Sequence, residues 1–234
     1  MTPRRHPDED LLNGYASGAL RPGAALAVRA HMAFCAACRA EIGRLEAIGG
    51  ALLEAEPAAD MHADGLAATL AALDRPSTDE TRAAPRRRRP APDLDALPPE
   101  LRGLSLGRRR WVGPGVHVTP IREARESREL VYLLRIGSGM VLPRHTHDGS
   151  EFTCVLRGAF SDGPDTYRPG DFIEATNEIE HRPVVGADEA CVCLVSTDAP
   201  LVIRDLIGRH LRSPPAAGPA AGGDLRWRPA DAPA

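Results

Sequence analysis

The stretch GMVLPRHTHDGSEFTCVLRG, residues 139–158, sets two histidines and a glutamate between glycines in the pattern G-x5-H-x-H-x3-E-x6-G. His145 and His147 stand two apart, so on a strand their side chains share one face, and Glu151 keeps the same parity. Further on, YRPGDFIEATNEIEHRP (residues 167–183) places Pro169-Gly170-Asp171 at a turn and His181 eleven residues beyond that glycine. The surrounding chain runs in short apolar pieces cut by Gly and Pro, among them ELVYLLRIGSG, DFIEAT and ACVCLVST. Such spacing predicts an antiparallel barrel or sandwich of about 100 residues. Three imidazoles and a carboxylate converging inside it suit a divalent transition metal, whether zinc, iron, manganese or nickel. Phe152, Phe160, Tyr167 and Phe172 read as barrel core, as does Cys154 in EFTCVLRG.

Ahead of this half the period changes. Residues 5–74 read as helical: HPDEDLLNGYASGAL has acidic residues suited to a helix N-terminus, and RPGAALAVRAHMAF opens with Pro22 in a first turn. CRAEIGRLEAIGGALLEA carries Ile42, Leu45, Ile48, Leu52 and Leu53 at three-to-four spacing, and HADGLAATLAALD predicts a fourth helix. Three or four short helices bury little core alone, so a metal staple would help them. Residues 76–100, rich in Pro and with the run Arg86 to Arg89, read as a flexible solvated linker, and residues 206–234 as an unstructured Pro/Gly/Ala tail. The segment PLVIRDLIGRHL, residues 200–211, which runs into that tail, fits either a last strand or a short amphipathic helix.

The 234 residues carry a formal net charge of −3, and all 29 basic residues are arginine, so no global basic field argues for nucleic acid. No run of 18 apolar residues spans a bilayer, and MTPRRHPDEDLL lacks the apolar core of a signal peptide. A cytoplasmic protein without membrane contact is expected, in which cysteines serve as metal ligands or reactive thiols rather than disulfides.

Two of the five cysteines stand in AHMAFCAAC, residues 30–38, where His31, Cys35 and Cys38 make H-x3-C-x2-C. On an unbroken helix, offsets of four and seven place all three on one face. With a break near Phe34, the C-x2-C becomes a turn gripping the metal while His31 reaches down from the preceding helix. Either geometry gives three ligands of the four that structural zinc takes, and His6 and His62 are the other histidines of this half.

The 139–183 pattern resembles the cupin signature, closely in its first motif and more loosely in its second. That resemblance covers about residues 105–200 and implies a cupin barrel with His145, His147, Glu151 and His181 as metal ligands. Residues 5–75 resemble the zinc-binding anti-sigma domain, a histidine followed about 25 residues later by H-x3-C-x2-C, which His6, His31, Cys35 and Cys38 fill. The two in this order look like the ChrR-type anti-sigma factors.

The fold class implied is a two-domain α plus β chain: a small helical zinc domain over residues 1–75, a linker, and a C-terminal antiparallel β cupin barrel over residues 101–205. The resemblance further implies one-to-one binding of an extracytoplasmic-function-type sigma factor, Zn2+ at two sites, no direct contact with nucleic acid and no catalytic residue. The cupin would receive a signal, typically singlet oxygen or organic peroxide, and loosen the hold on sigma. A cupin metalloenzyme, a dioxygenase or isomerase with a zinc-stapled helical module, is the alternative, and a DNA-binding factor using Arg86 to Arg89 a weaker one. Cys191 and Cys193, two apart in ACVCLV, read either as buried small residues or as thiols open to oxidation; a bridge between them would need distortion.

Overall fold

The computed structural model describes residues 2–74, 97–122, 129–176 and 180–199, together with the backbone of residues 201–206 and 209–212. Four helices come first. Helix α1 (Glu9–Ala16) is capped by Asp8, whose carboxylate accepts from the Leu11 N–H at 2.8 Å, with Glu9 and Asp10 complementing the dipole. Helix α2 (Pro22–Met32) starts on its proline, where the missing N–H costs nothing. Helix α3 (Ala36–Ala55) starts from Cys35 as its N-cap, and α4 (Gly65–Leu73) follows within the stretch expected to be helical.

Twelve strands are described after the helices: β1 (Arg110–Gly113), β2 (Val116–Pro120), β3 (Leu130–Ile136), β4 (His145–His147), β5 (Glu151–Arg157), β6 (Phe160–Asp162), β7 (Asp165–Tyr167), β8 (Phe172–Ala175), β9 (Val184–Val185), β10 (Cys191–Thr197), β11 (Leu201–Leu206) and β12 (Arg209–Arg212). They pair antiparallel in one sheet of order β1-β2-β3-β10-β5-β8 and two small sheets, β12-β11-β4 and β7-β6-β9. This is the cupin-type antiparallel architecture expected. Within PLVIRDLIGRHL the described residues 201–206 and 209–211 are strand: β11 pairs with β4 on one side and β12 on the other. Strand β12 falls within the segment expected to be an unstructured tail, because β11 leaves an edge on which residues 209–212 pair.

Alternation along the central strands explains where the helices go. On β10, Cys191, Cys193 and Val195 face an inner core with Ile136, Val155, Phe160 and Val185, while Val192 and Leu194 face the other way. All seven residues of β10 are buried, so its second face is also covered. Helix α2 does the covering. It lies across β5 and β10, and Ala24, Ala27, Val28 and Ala30 join one core with Val131, Leu133, Cys154, Leu156, Phe172 and Leu194.

The two halves thus share a core rather than forming two bodies on a loose tether. Gly23 permits the approach: a Cβ there would lie 2.3 Å from Ser196 Oγ and 2.8 Å from Val131 Cγ2. The buried Glu129 carboxylate accepts from the Gly23 N–H at 2.9 Å, capping α2 from the cupin side, and Arg21 pairs with Asp198. The end of the expected linker packs as well. Leu97 and Leu101 are buried in the same core, and Arg29 donates to the Glu100 carbonyl at 2.5 Å. The run Arg86 to Arg89 lies outside the described residues.

The outer helices are covered far less. Beyond Ile42, which is buried, and Leu45, which is half-buried against the same core, the apolar residues of α3 turn to solvent: Ile48 is 59% exposed, Leu52 66% and Leu53 75%. Helix α4 has no buried residue, with Leu66, Leu70 and Leu73 all exposed.

Candidate metal centres

The helical centre forms where α2 ends. Phe34 and Cys35 donate their N–H groups to the His31 carbonyl, closing the last turn of α2, and Cys35 then restarts the chain as the cap of α3. The helix is broken at Phe34, so the second of the two sequence geometries holds: C-x2-C is a turn into α3, and His31 reaches in from α2. The Cys38 N–H points at Cys35 Sγ, 3.4 Å away, as amides commonly do towards a ligating thiolate.

His6 arrives from the segment before α1, its Nδ1 3.4 Å from both Cys35 Sγ and Cys38 Sγ, while His31 Nε2 is 3.3 Å from Cys38 Sγ. All four ligand atoms lie within 4.8 Å of one another. Tetrahedral zinc, with Zn–S near 2.3 Å and Zn–N near 2.05 Å, spaces its ligand atoms about 3.4–3.8 Å apart. The four residues therefore fit a His2Cys2 zinc. His62 is exposed and stands outside this group.

His31 is fully buried, and its Nδ1–H donates to the Gly170 carbonyl at 2.6 Å, which leaves Nε2 with its lone pair toward the sulfurs. Burial lowers the pKa of His31, and the Gly170 bond only partly opposes this, so the ring stays neutral and ready to ligate. Burial and the neighbouring Cys35 push the Cys38 thiol up to about 12, so metal binding must displace its proton.

The cupin centre is built by β4 and by the bridge that pairs His145 with His181, with the start of β5 beside it. His145, His147 and His181 each offer a ring nitrogen within 4.8 Å of the others, and the His147 and His181 Nε2 atoms are 2.9 Å apart. Two outer partners set the tautomers. His145 Nδ1–H donates to the Pro143 carbonyl at 2.8 Å, and His181 Nδ1 faces the Asp162 carboxylate at 3.4 Å. Burial lowers His145 to about 4 and His147 to about 3, in both cases helped by neighbouring imidazoles, so both rings are neutral at ordinary pH.

Glu151 stands apart from the three-nitrogen group. Its Oε2 is 3.5 Å from His147 Nδ1, not on the Nε2 side, and burial raises its carboxyl to about 7 despite the Thr153 hydrogen bond. The parity that linked it to the histidines has no meaning here. Glu151 begins β5, past the turn at residues 148–150 and in a different sheet from β4. It does line the same cavity as His145 and His181, beside Leu134, Ile136 and Phe160.

The spacing analysis missed Asp162, which reaches His181 from β6, and missed that the Pro169-Gly170-Asp171 turn serves the helical centre. Asp162 belongs to no motif, and the β6–β9 pairing, with the Arg182 N–H donating to Asp162 Oδ1 at 3.0 Å, brings the two segments together. Cys191 and Cys193 lie buried with their sulfurs 3.6 Å apart, not bridged, and their hydrogen bond and burial raise Cys193 well above its ordinary value.

A helical unit with a His2Cys2 centre, laid on a cupin whose own centre is a cluster of imidazoles, defines the class: a zinc-finger module fused to a cupin. The family described as the ChrR cupin-like domain matches residues 107–200, and a zinc-finger family matches residues 9–39. The chain is 39% identical over 207 residues to anti-sigma-E factor ChrR of Cereibacter sphaeroides, covering 86% of this chain and 92% of that one. It also resembles a chain in the crystal structure of Rhodobacter sphaeroides SigE in complex with the anti-sigma ChrR. There the identity is 36% and the TM-score 0.65, over 84% of this chain and all of that one. The chain belongs to the ChrR family.

Proposed function

We propose that this chain is an anti-sigma factor that sequesters one extracytoplasmic-function-type sigma factor in a one-to-one cytoplasmic complex. The observation that carries the reading is the uncovered apolar surface on α3 and α4, where Ile48, Leu52, Leu53, Leu66, Leu70 and Leu73 all face solvent. Helices left this way call for a partner's helices to cover them. Membership of the ChrR family and the likeness to ChrR from a SigE complex support a sigma factor as that partner. No helix among the described residues is long and apolar enough to cross a membrane, in keeping with a partner free in the cytosol.

His6, His31, Cys35 and Cys38 hold structural zinc, which fixes the turn between α2 and α3 and so the angle at which α3 presents its face. His145, His147 and His181 hold a second divalent metal, zinc in the simplest case, with Glu151 as its carboxylate ligand after a change of rotamer. The cupin receives an oxidative signal, singlet oxygen or organic peroxide, and weakens the grip on sigma. The test is co-expression of the full chain with the extracytoplasmic-function-type sigma factors of its source. A stable one-to-one complex that dissolves on zinc chelation is expected; no complex with any of them would refute the reading.

The cavity beside His145 and His181, walled by Leu134, Ile136, Leu142, Phe160 and Ile173, favours a second reading as a cupin metalloenzyme with an apolar substrate. Turnover by the isolated, metal-loaded chain would be its signature.

A further inference from the structure

One turn of the cupin, Arg168 to Asp171, touches two of the four ligands of the helical centre or their immediate supports. The Asp171 side chain, 2% exposed, accepts three backbone N–H groups: Arg4 at 2.6 Å and Arg5 at 3.1 Å on Oδ1, and Arg168 at 2.8 Å on Oδ2. The Phe172 N–H donates to the Arg5 carbonyl at 3.0 Å, so residues 4 and 5 are laid against the start of β8. His6 is the next residue. On the other side of the turn, the Gly170 carbonyl holds His31 Nδ1 at 2.6 Å. The fit is close: Gly170 has φ +92°, and a Cβ there would lie 2.6 Å from both Phe34 Cβ and Pro3 Cγ.

His6 is the weak corner of the centre. It is the exposed ligand of the four, and it sits on a segment with no helix or strand of its own. A ligand on such a segment must be ordered when metal binds, and that entropy is subtracted from affinity unless something orders it beforehand. Asp171 does this through charge-assisted bonds to the two amides preceding His6.

We propose that Asp171 and Gly170 are positioning residues for the helical metal centre, so that the cupin domain sets how tightly the anti-sigma domain holds its zinc. The inference rests on the reading of His6, His31, Cys35 and Cys38 as a zinc centre. It gives the cupin a route to the sigma-binding half: any rearrangement that moves the 168–171 turn loosens His6 and His31 together. By linkage, zinc in the helical centre stabilises the turn in return.

The test uses the full chain carrying His145→Ala and His147→Ala, so that the helical centre alone is titrated. Zinc affinity is read by competition with a chromophoric chelator, and ligand geometry by the cobalt(II) d–d and thiolate charge-transfer bands. Asp171→Ala is expected to lower zinc affinity about 10–100-fold and to shift the cobalt bands, the loss typical of outer-shell partners. Asp171→Asn, which keeps one acceptor oxygen, should lie between it and the parent. Asp171→Ala with the parent's affinity and bands would overturn the proposal.

Because Asp171→Ala can also harm folding, hydrogen exchange in the unsubstituted chain, at the amides that tie residues 4 and 5 to the turn and to the start of β8, gives a second arm. Zinc should slow exchange at the Arg4, Arg5 and Phe172 amides, and unchanged exchange there would equally overturn the proposal. A parent chain with no cobalt–thiolate absorption would instead overturn the zinc centre itself, a failure distinct from either.

Discussion

His31 and Gly170, 139 positions apart, are joined by a 2.6 Å hydrogen bond from the imidazole of a candidate zinc ligand to a cupin carbonyl. The bond crosses what the sequence suggests is a boundary between independent domains. It places the metal centre of the helical half at the seam of a shared core, beside Phe172 and within reach of the β8 edge. Under the proposed function, a chain built this way feels a change in the barrel at the metal that organises its binding helices.

Removing the thiolates tests the helical centre. Cys35→Ser with Cys38→Ser should abolish zinc binding there and remove sigma binding, since the turn between α2 and α3 loses its staple. Isothermal titration with the partner sigma factor would show it; binding at full strength would mean that zinc does not organise the surface.

The exposed apolar face makes a cleaner separation of stability from binding. Leu52→Asp and Leu70→Asp lie at positions 66% and 54% exposed, so unfolding free energies should change by no more than about 0.5 kcal/mol. Sigma affinity should fall by at least about tenfold for each, as expected of apolar residues buried at an interface. Equal losses in stability would show instead that this face packs within the chain.

Docking of α2 is sensitive at Gly23. Gly23→Ala puts a Cβ 2.3 Å from Ser196 Oγ and 3.0 Å from Glu129 Cδ, forcing the helix off the sheet or the neighbours out of place. A loss of about 1–3 kcal/mol follows by analogy with overpacked cores. Denaturant unfolding measures it.

Zinc affinity at the helical centre should rise with pH. The Cys38 thiol, raised to about 12, is protonated throughout the neutral range in the metal-free chain, and zinc must displace that proton. Each thiol proton that zinc displaces adds about tenfold per pH unit to the climb. His31 adds no competing proton at neutral pH, because burial lowers its pKa below the ordinary 6.5. Competition titrations across the neutral range check the slope, and a flat profile would argue that Cys38 is not a ligand.

Alanine at His145 and His147 should remove the second metal while sparing sigma binding, because the contacts of both rings run to Pro143, Glu151 and His181 within the cupin. The response to singlet oxygen or organic peroxide should be blunted. Metal content and a sigma-dependent reporter read the two effects separately.

Much of this was legible in the chain. The H-x3-C-x2-C spacing and His6 upstream marked four residues that the fold gathers, because the short spacing keeps three of them at the one junction between α2 and α3. The imidazoles of the cupin were equally plain. Glu151 was harder: parity works only within one strand, and a turn separates β4 from β5. The shared core escaped the reading because helix docking is a long-range property. Its one trace was the continuous apolar run CVCLV, a strand that must be covered on both faces. Asp162 carried no local signal at all, and Pro169-Gly170-Asp171 marked a turn without pointing to the amides of Arg4 and Arg5 that Asp171 holds, because both carboxylates are turned inward by distant partners.

The central claim is that zinc-organised helices withhold a sigma factor from polymerase. Transcription in vitro from a promoter of the partner sigma factor, titrated with the full zinc-loaded chain, tests it most directly. Inhibition complete at one chain per sigma, and reversed by a zinc chelator, is the expected result. Transcription that continues unchanged at a large excess of chain would contradict the account.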